Sequence, residues 1–378
     1  MNVRLPNALE TAQREAAAVN AHRDEYLAWP LDRIIADSPF VERARLVAGL
    51  EAFHRERMAR IPPASRYPEA VPWVDYVIRV DRELQRLTGM SGLDMALYRS
   101  LHAYVLFRGF YRLAPPSVEK CRVAYVPDSD HGQIHIKNVD DPNTYWKPEA
   151  RPAWLFPQPE QTLFSDGVGN GLHMDDEPAE IFPLPVMQMY PLYSGDVPGA
   201  VGFLRRYSPF WGRANLLLHD RQKRAAAIEK CSFNFFEVFE PGPDGAIHIS
   251  GMTCRDPNSP QGRFQRAQRE KYLRLFGLPP DGPDSAFWAI CRQCEEKLAG
   301  GLCALGRPAQ LESLLQLFTR PWPAGLNKTG QRIHKDQGLL GYTLISYAIL
   351  YDEKRLLRWQ RSALPECRYP DSPEEFSW

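Results

Sequence analysis

Apolar positions recur at helical spacing through the first part of the chain. Leu31, Ile34 and Ile35 form one stripe, and Val41, Ala44, Leu46, Val47 and Leu50 form another, with Asp37-Ser38-Pro39 as a breaker between them. A further helix is predicted over 74–87. Gly89-Met90-Ser91-Gly92 then turns the chain, and 93–106 returns to the helical period. The texture changes near Ser117. Segments 121–126 and 133–136 read as short strands around Pro127-Asp128-Ser129-Asp130-His131-Gly132, which predicts a hairpin. Strand character continues over 185–193, 215–219, 230–239 and 246–249, with Pro241-Gly242-Pro243-Asp244-Gly245 as a turn. Helices are predicted over 263–276 and 286–298, and a closing hairpin over 342–351 and 355–360 around Asp352-Glu353-Lys354. Clustered strands with clustered helices predict an α+β fold, not a doubly wound parallel sheet. Gly167-Val168-Gly169-Asn170-Gly171 is followed by no helix start, so it reads as a turn and not as a phosphate loop.

Charge and cysteine content narrow the function classes. Lys+Arg and Asp+Glu are both 46, so the formal net charge is zero and nucleic acid is not the expected partner. No stretch approaches the roughly 20 apolar residues of a membrane helix, and the first ten residues lack the apolar core of a signal peptide. A cytoplasmic protein with no membrane partner is the expectation. The 7 cysteines are an odd number spread along the chain, which does not suit a disulfide framework. Cys291 and Cys294 have the spacing of half a zinc site, but no second pair accompanies them, and two packing residues on a helix explain them better. His173-Met174-Asp175-Asp176-Glu177 reads as a solvated acidic turn. No metal or cofactor is implied.

Cys121 opens the first predicted strand, with Lys120 and Arg122 on either side. Neighbouring positive charge raises the thiolate fraction of a cysteine. Local context alone fits a packing cysteine at a strand start even better. The surrounding segments change that balance. Cys121-Arg122-Val123-Ala124-Tyr125, the turn, and His135-Ile136-Lys137-Asn138-Val139-Asp140 form a hairpin that ends on Asn-x-Asp. This resembles the nucleophile hairpin of the acyl-coenzyme A:isopenicillin N acyltransferase family, relatives of the choloylglycine and other linear-amide hydrolases with an N-terminal nucleophile (Ntn). Segments 215–240, 245–254, 266–275 and 343–352 resemble later elements of that family in order, so the likeness runs over roughly 121–362.

The resemblance implies a four-layer αββα Ntn-hydrolase-like sandwich over 121–378. The helical residues 1–120 would then be a propeptide or α-subunit. It implies that Cys121 attacks an amide, ester or thioester carbonyl, and that cleavage before Cys121 frees an α-amino group to act as base. Asp140 would orient the nucleophile or its amine, although a turn aspartate before Asp141-Pro142 is an equal reading. Asn138 would hold the adjacent loop or polarise a carbonyl; a turn residue is the plainer reading. Ser250 stands where the family has an oxyanion-stabilising asparagine, and its hydroxyl is shorter and differently directed. Arg332 has the spacing of the family's arginine before the last hairpin, and Arg292 matches the local pattern but lies farther away; a solvated surface arginine is the plainer reading of Arg332. Lys120 replaces the small residue common before the cysteine. The expected substrate is a small-molecule amide or acyl thioester, with the acyl group passing to water or to an amine. A homo-oligomer is left open. A non-catalytic binding or scaffold protein that keeps the fold is the rival class, and Lys120 and Ser250 are the residues that favour it.

Overall fold

A computed structural model of the chain describes residues 7–21, 23–28, 31–32, 35, 42–59, 71–104, 121–141, 163–169, 195–206, 214–232, 235–242, 245–251, 254–275, 279–280, 283–327, 329–332, 340–361 and 368–377. The helices are α1 (Ala8–Ala21), α2 (Arg43–Ala59), α3 (Val71–Thr88), α4 (Gly92–Tyr104), α5 (Val197–Arg206), α6 (Pro260–Leu275), α7 (Pro283–Cys303) and α8 (Leu311–Thr319), besides one turn at Arg23–Tyr26. The strands are β1 (Arg122–Ser129), β2 (Gly132–Asp141), β3 (Leu163–Gly169), β4 (Ala214–Asp220), β5 (Ala225–Ser232), β6 (Phe235–Phe239), β7 (Ile247–Ser250), β8 (Thr329–Arg332), β9 (Leu340–Leu350), β10 (Arg355–Gln360) and β11 (Glu374–Ser377).

The fold is α+β, with two antiparallel sheets. The larger runs β11-β10-β9-β2-β1-β7, with β8 also paired to β9; the smaller runs β3-β4-β5-β6. Alternation along each strand sends successive side chains to opposite faces, and the cores follow that parity. On β4 and β5, Leu216, Leu218, Ala226 and Ile228 point outward and share a core with Ala12 and Val19 of α1, Leu50 of α2, Val80 and Leu84 of α3, and Phe203 of α5. The N-terminal helices therefore cover the outer face of the small sheet. On the large sheet, Ala124, Val126, Ile134, Ile136 and Ala348 point the other way, onto Leu298 of α7 and Leu314 and Phe318 of α8. Between the sheets, Val123, Tyr125, Ile247 and Ile249 meet Leu217, Ala225 and Ala227.

Several elements differ from what the sequence predicts. The first hairpin has longer arms: Pro127 lies within β1, and Asp130-His131 alone connect the strands. Gly132 makes this possible, since its φ is +78° and a Cβ there would fall 1.8 Å from Asp352 Oδ2. Segment 230–239, predicted as one strand, contains the end of β5 and the whole of β6. Gly167-Val168-Gly169 is not a turn but the end of β3, paired with β4. The predicted strand at 185–193 and the acidic stretch at 173–177 lie outside the described residues. Among the described residues no helix is long and apolar enough to cross a membrane.

Candidate functional site

Cys121 stands immediately before β1, half-buried, and its side chain joins the apolar layer between the sheets with Val123 and Tyr125. Gly251 N donates to its carbonyl at 3.2 Å, which ties the start of β1 to the end of β7. Parity decides what shares this face. Val123 pairs with Lys137, and Lys137 pairs in turn with Tyr347 on β9. Tyr125 pairs with His135. Lys137 is therefore the diagonal neighbour of Cys121 on one face, within reach of a long side chain.

This half of the inter-sheet layer is polar. Asp166 reaches across from β3 and accepts from four donors: Lys137 Nζ at 2.5 Å, Gly167 N at 2.7 Å, Tyr347 OH at 2.5 Å and His135 Nε2 at 3.1 Å. Lys137 Nζ also donates to Gly167 O at 3.1 Å. Farther along, His135 Nδ1 and His219 Nε2 are 3.1 Å apart, and Tyr125 stacks on the His219 ring with centroids 4.1 Å apart. Tyr351 OH lies 3.3 Å from the same His219 nitrogen.

The charges in this network support one another. Burial disfavours the Asp166 carboxylate, but the Lys137 ammonium and the His135 and Lys137 donors outweigh it and hold the carboxyl well below the usual range. Burial likewise opposes the Lys137 ammonium; the Asp166 carboxylate, followed by charge on Cys121, raises it above the ordinary lysine value. Burial, and then the Asp166 charge, keep the Tyr347 phenol protonated. Burial and the neighbouring His135 hold His219 neutral. A buried pair of this kind is tolerable because its donors and acceptors are matched.

The residues singled out from the sequence fall elsewhere around Cys121. Asn138 is on the opposite face of the large sheet. Its Nδ2 donates to Phe318 O at 3.0 Å and Leu326 O at 3.3 Å, and its Oδ1 accepts from Ser346 Oγ at 2.7 Å. Asp140 shares that face, accepting from Arg122 Nη1 at 2.7 Å and Thr343 Oγ1 at 2.7 Å. Its carboxylate is thus bonded to the residue that follows Cys121. Ser250 pairs with Arg122 and, by the parity of β7, turns its hydroxyl to the same helix-facing side, beside Glu295. His248 is also there, with Nε2 2.9 Å from Glu295 Oε1. Arg332 is in β8, opposite Leu340; its side chain, and Lys120, lie outside the described residues.

Lys137, Asp166, Tyr347 and His135 were not legible as a group, although one signal existed. In 134–137 the apolar residues Ile134 and Ile136 alternate with His135 and Lys137, a polar stripe on the parity of Cys121. Asn215 is a further residue of this kind. It is fully buried, lies on the inner parity of β4, and donates from Nδ2 to Ser250 O at 2.6 Å, pinning the small sheet to β7 near Cys121. Of the other described cysteines, Cys294 is in the core under α7, and burial with the nearby Glu229 charge pushes the Cys254 thiol up to about 12. Among the described residues no group of three or more His, Cys, Asp or Glu side chains is placed to hold a metal ion.

No known family model matches the chain, and no curated protein matches it.

Proposed function

We propose that this protein is a cysteine-nucleophile acyl-transfer enzyme with a four-layer αββα Ntn-hydrolase-like sandwich. The Cys121 sulfur attacks an amide, ester or thioester carbonyl and forms an acyl thioester. Water then takes the acyl group, as in an amidohydrolase, or an amine takes it, as in an N-acyltransferase. The observation that carries this reading is the placement of Cys121 at the head of β1, on the inter-sheet face it shares with Lys137 and the Asp166 network. A cation beside a half-buried sulfur is the environment that makes a cysteine nucleophilic, whereas an inert packing cysteine sits among apolar neighbours alone. The two sheets, with helices on both outer faces, support the sandwich assignment.

The test is acylation. Incubation with p-nitrophenyl acyl esters should add one acyl mass to the peptide that contains Cys121. Cys121→Ala should retain the circular dichroism spectrum, take up no acyl group, and lose turnover by several orders of magnitude. Turnover close to that of the wild type in folded Cys121→Ala overturns the assignment, and an acyl group found on another residue moves the nucleophile there.

A further inference from the structure

We propose that Lys137, clamped by Asp166, holds Cys121 as a thiolate in the uncleaved chain, so that acyl transfer needs no freed α-amino group. The proposal rests on the reading of Cys121 as a nucleophile and names what activates it.

Three features carry it. First, pairing of Lys137 with Val123 makes Lys137 the diagonal neighbour of Cys121 on the inter-sheet face. Second, the ammonium is fixed in place. Two of its N–H groups go to Asp166 Oδ1 at 2.5 Å and Gly167 O at 3.1 Å, and Asp166 is itself held by Gly167 N and Tyr347 OH. An ammonium has three donors, so among the described residues one remains for the sulfur. Third, the other ionisable groups that face this pair among the described residues are already committed. Tyr347 from β9 and His135 from β2 bond to Asp166 of β3, and His219 of β4 bonds to His135. The backbone nitrogen of Cys121 is an amide in the continuous chain and cannot act as a base. Lys137 is a buried cation that interacts electrostatically with the half-buried Cys121 sulfur, and that interaction favours the thiolate.

The chemistry limits the acyl donor. Cys121 releases its proton to solvent on ionising. The thiolate attacks the carbonyl carbon and the new C–S bond forms. With a thioester donor, the old C–S bond breaks and the leaving thiolate departs with the electron pair, so no proton is transferred. An amide would need a proton for its departing amine. Asp166 holds Lys137 in its protonated form, burial and then Asp166 do the same for Tyr347, and both give that proton reluctantly. The uncleaved chain should therefore accept acyl thioesters and activated esters well ahead of amides.

The experiment uses the full 378-residue chain. Iodoacetamide labelling of Cys121 is followed from pH 5 to 9 by peptide mass, and intact mass on the same sample separates the full chain from any fragment that begins at Cys121. Wild type, Lys137→Met and Lys137→Arg are compared, and the octanoyl thioester of N-acetylcysteamine is then tested as donor. Expected are label and octanoyl adduct on the full-length chain, with a half-maximal labelling pH well below the ordinary thiol value of about 8.5. Lys137→Met should slow labelling at pH 7 by about tenfold or more and move that midpoint upward, and Lys137→Arg should restore it in part. An unchanged pH profile in Lys137→Met overturns the proposal. Label and adduct confined to the Cys121 fragment also overturn it, while leaving Cys121 as the nucleophile; this comparison needs only the wild type, whether or not a variant folds. No octanoyl adduct on either species overturns both this proposal and the acyl-transfer reading.

Discussion

Asp166→Asn should be the most damaging isosteric change in the inter-sheet layer. The carboxylate accepts from Lys137, Tyr347, His135 and Gly167 N, and it is buried. An amide of the same shape has one acceptor oxygen. Turned toward Lys137 and Gly167 N, that oxygen keeps two bonds, and the new NH2 then meets Tyr347 OH and His135 Nε2. Tyr347 can rotate its hydroxyl to accept, but His135 would have to move its proton to the nitrogen facing His219. The Lys137 ammonium loses its counter-charge in either arrangement. Removing one member of a buried pair costs about 3–5 kcal/mol, and partial rearrangement puts this case near 3. That is a large part of a total stability of about 5–15 kcal/mol. Urea unfolding at pH 7, followed by circular dichroism, gives the value directly. Lys137→Met added to Asp166→Asn removes the stranded charge, so the double variant should recover about 2 kcal/mol or more relative to the sum of the singles. The effect also has a pH sign. The Asp166 carboxyl is lowered in the fold, so its contribution is complete above its unfolded value and fades only as pH falls toward the lowered one. The gap between wild type and Asp166→Asn should thus be constant at neutral pH and close in acid. A single-variant cost below about 1 kcal/mol, or singles that simply add, would refute the view of Lys137 and Asp166 as a charged pair.

Glu229 gives a second pH effect of opposite sign. Burial raises its carboxyl to about 7, and Arg255, 3.9 Å away, compensates only partly. A raised acid stabilises fully below its unfolded value near 4.5, and that stability is lost as pH rises through 7. Glu229→Gln should therefore gain about 3 kcal/mol on wild type between pH 4 and pH 9, read from urea midpoints; parallel pH profiles would show that the buried acid does not titrate in this window. The N-terminal helices should stay bound after any cut within 105–120, because Leu163, Leu216, Leu218 and Ile228 lie under them. Exposing these four side chains would cost about 8 kcal/mol. Size-exclusion chromatography of the nicked protein should give one peak holding both pieces, and a folded C-terminal piece eluting alone would contradict it.

The elements legible in the sequence were those whose signal is local. The hairpin around Asp130-His131 and the one around Asp352-Glu353-Lys354 carry alternating apolar residues on both arms and turn residues between them. Helix α3 shows a clean apolar stripe ending at Gly89, which takes φ +66°. β3 was hidden because Gly167 and Gly169 suppress a strand signal that pairing to β4 restores. α8 has Leu311, Leu314 and Phe318 buried at helical spacing, but it is too short for that stripe to stand out in the sequence. The site was harder still. Lys137 and Asp166 are 29 residues apart on different sheets, and only the stacking of those sheets joins them. Asn138 and Asp140 stand out by motif, yet the period of two that puts Asn138 opposite to Lys137 also puts Asp140 on the side of Arg122.

The two faces of β2 also bear on what the polar layer is for. Toward α8, Asn138 makes bonds to the main-chain carbonyls of Phe318 and Leu326 and to Ser346, tying the sheet to the end of the helix and the loop after it. That is a structural task, and its donors and acceptors go to backbone and a neutral hydroxyl. Toward the small sheet, the partners are a lysine, an aspartate and two histidines, in a layer whose other half is valine, isoleucine, leucine and alanine. Apolar side chains of similar volume would hold two sheets together at least as well, because charges lose their hydration on burial. A buried ion pair is thus a poor means of stabilising this layer, and its place near half-buried Cys121 is what the proposed activation of that sulfur requires. The stability that Lys137→Met with Asp166→Asn retains, set against the Cys121 reactivity it loses, measures how far the pair serves chemistry over folding.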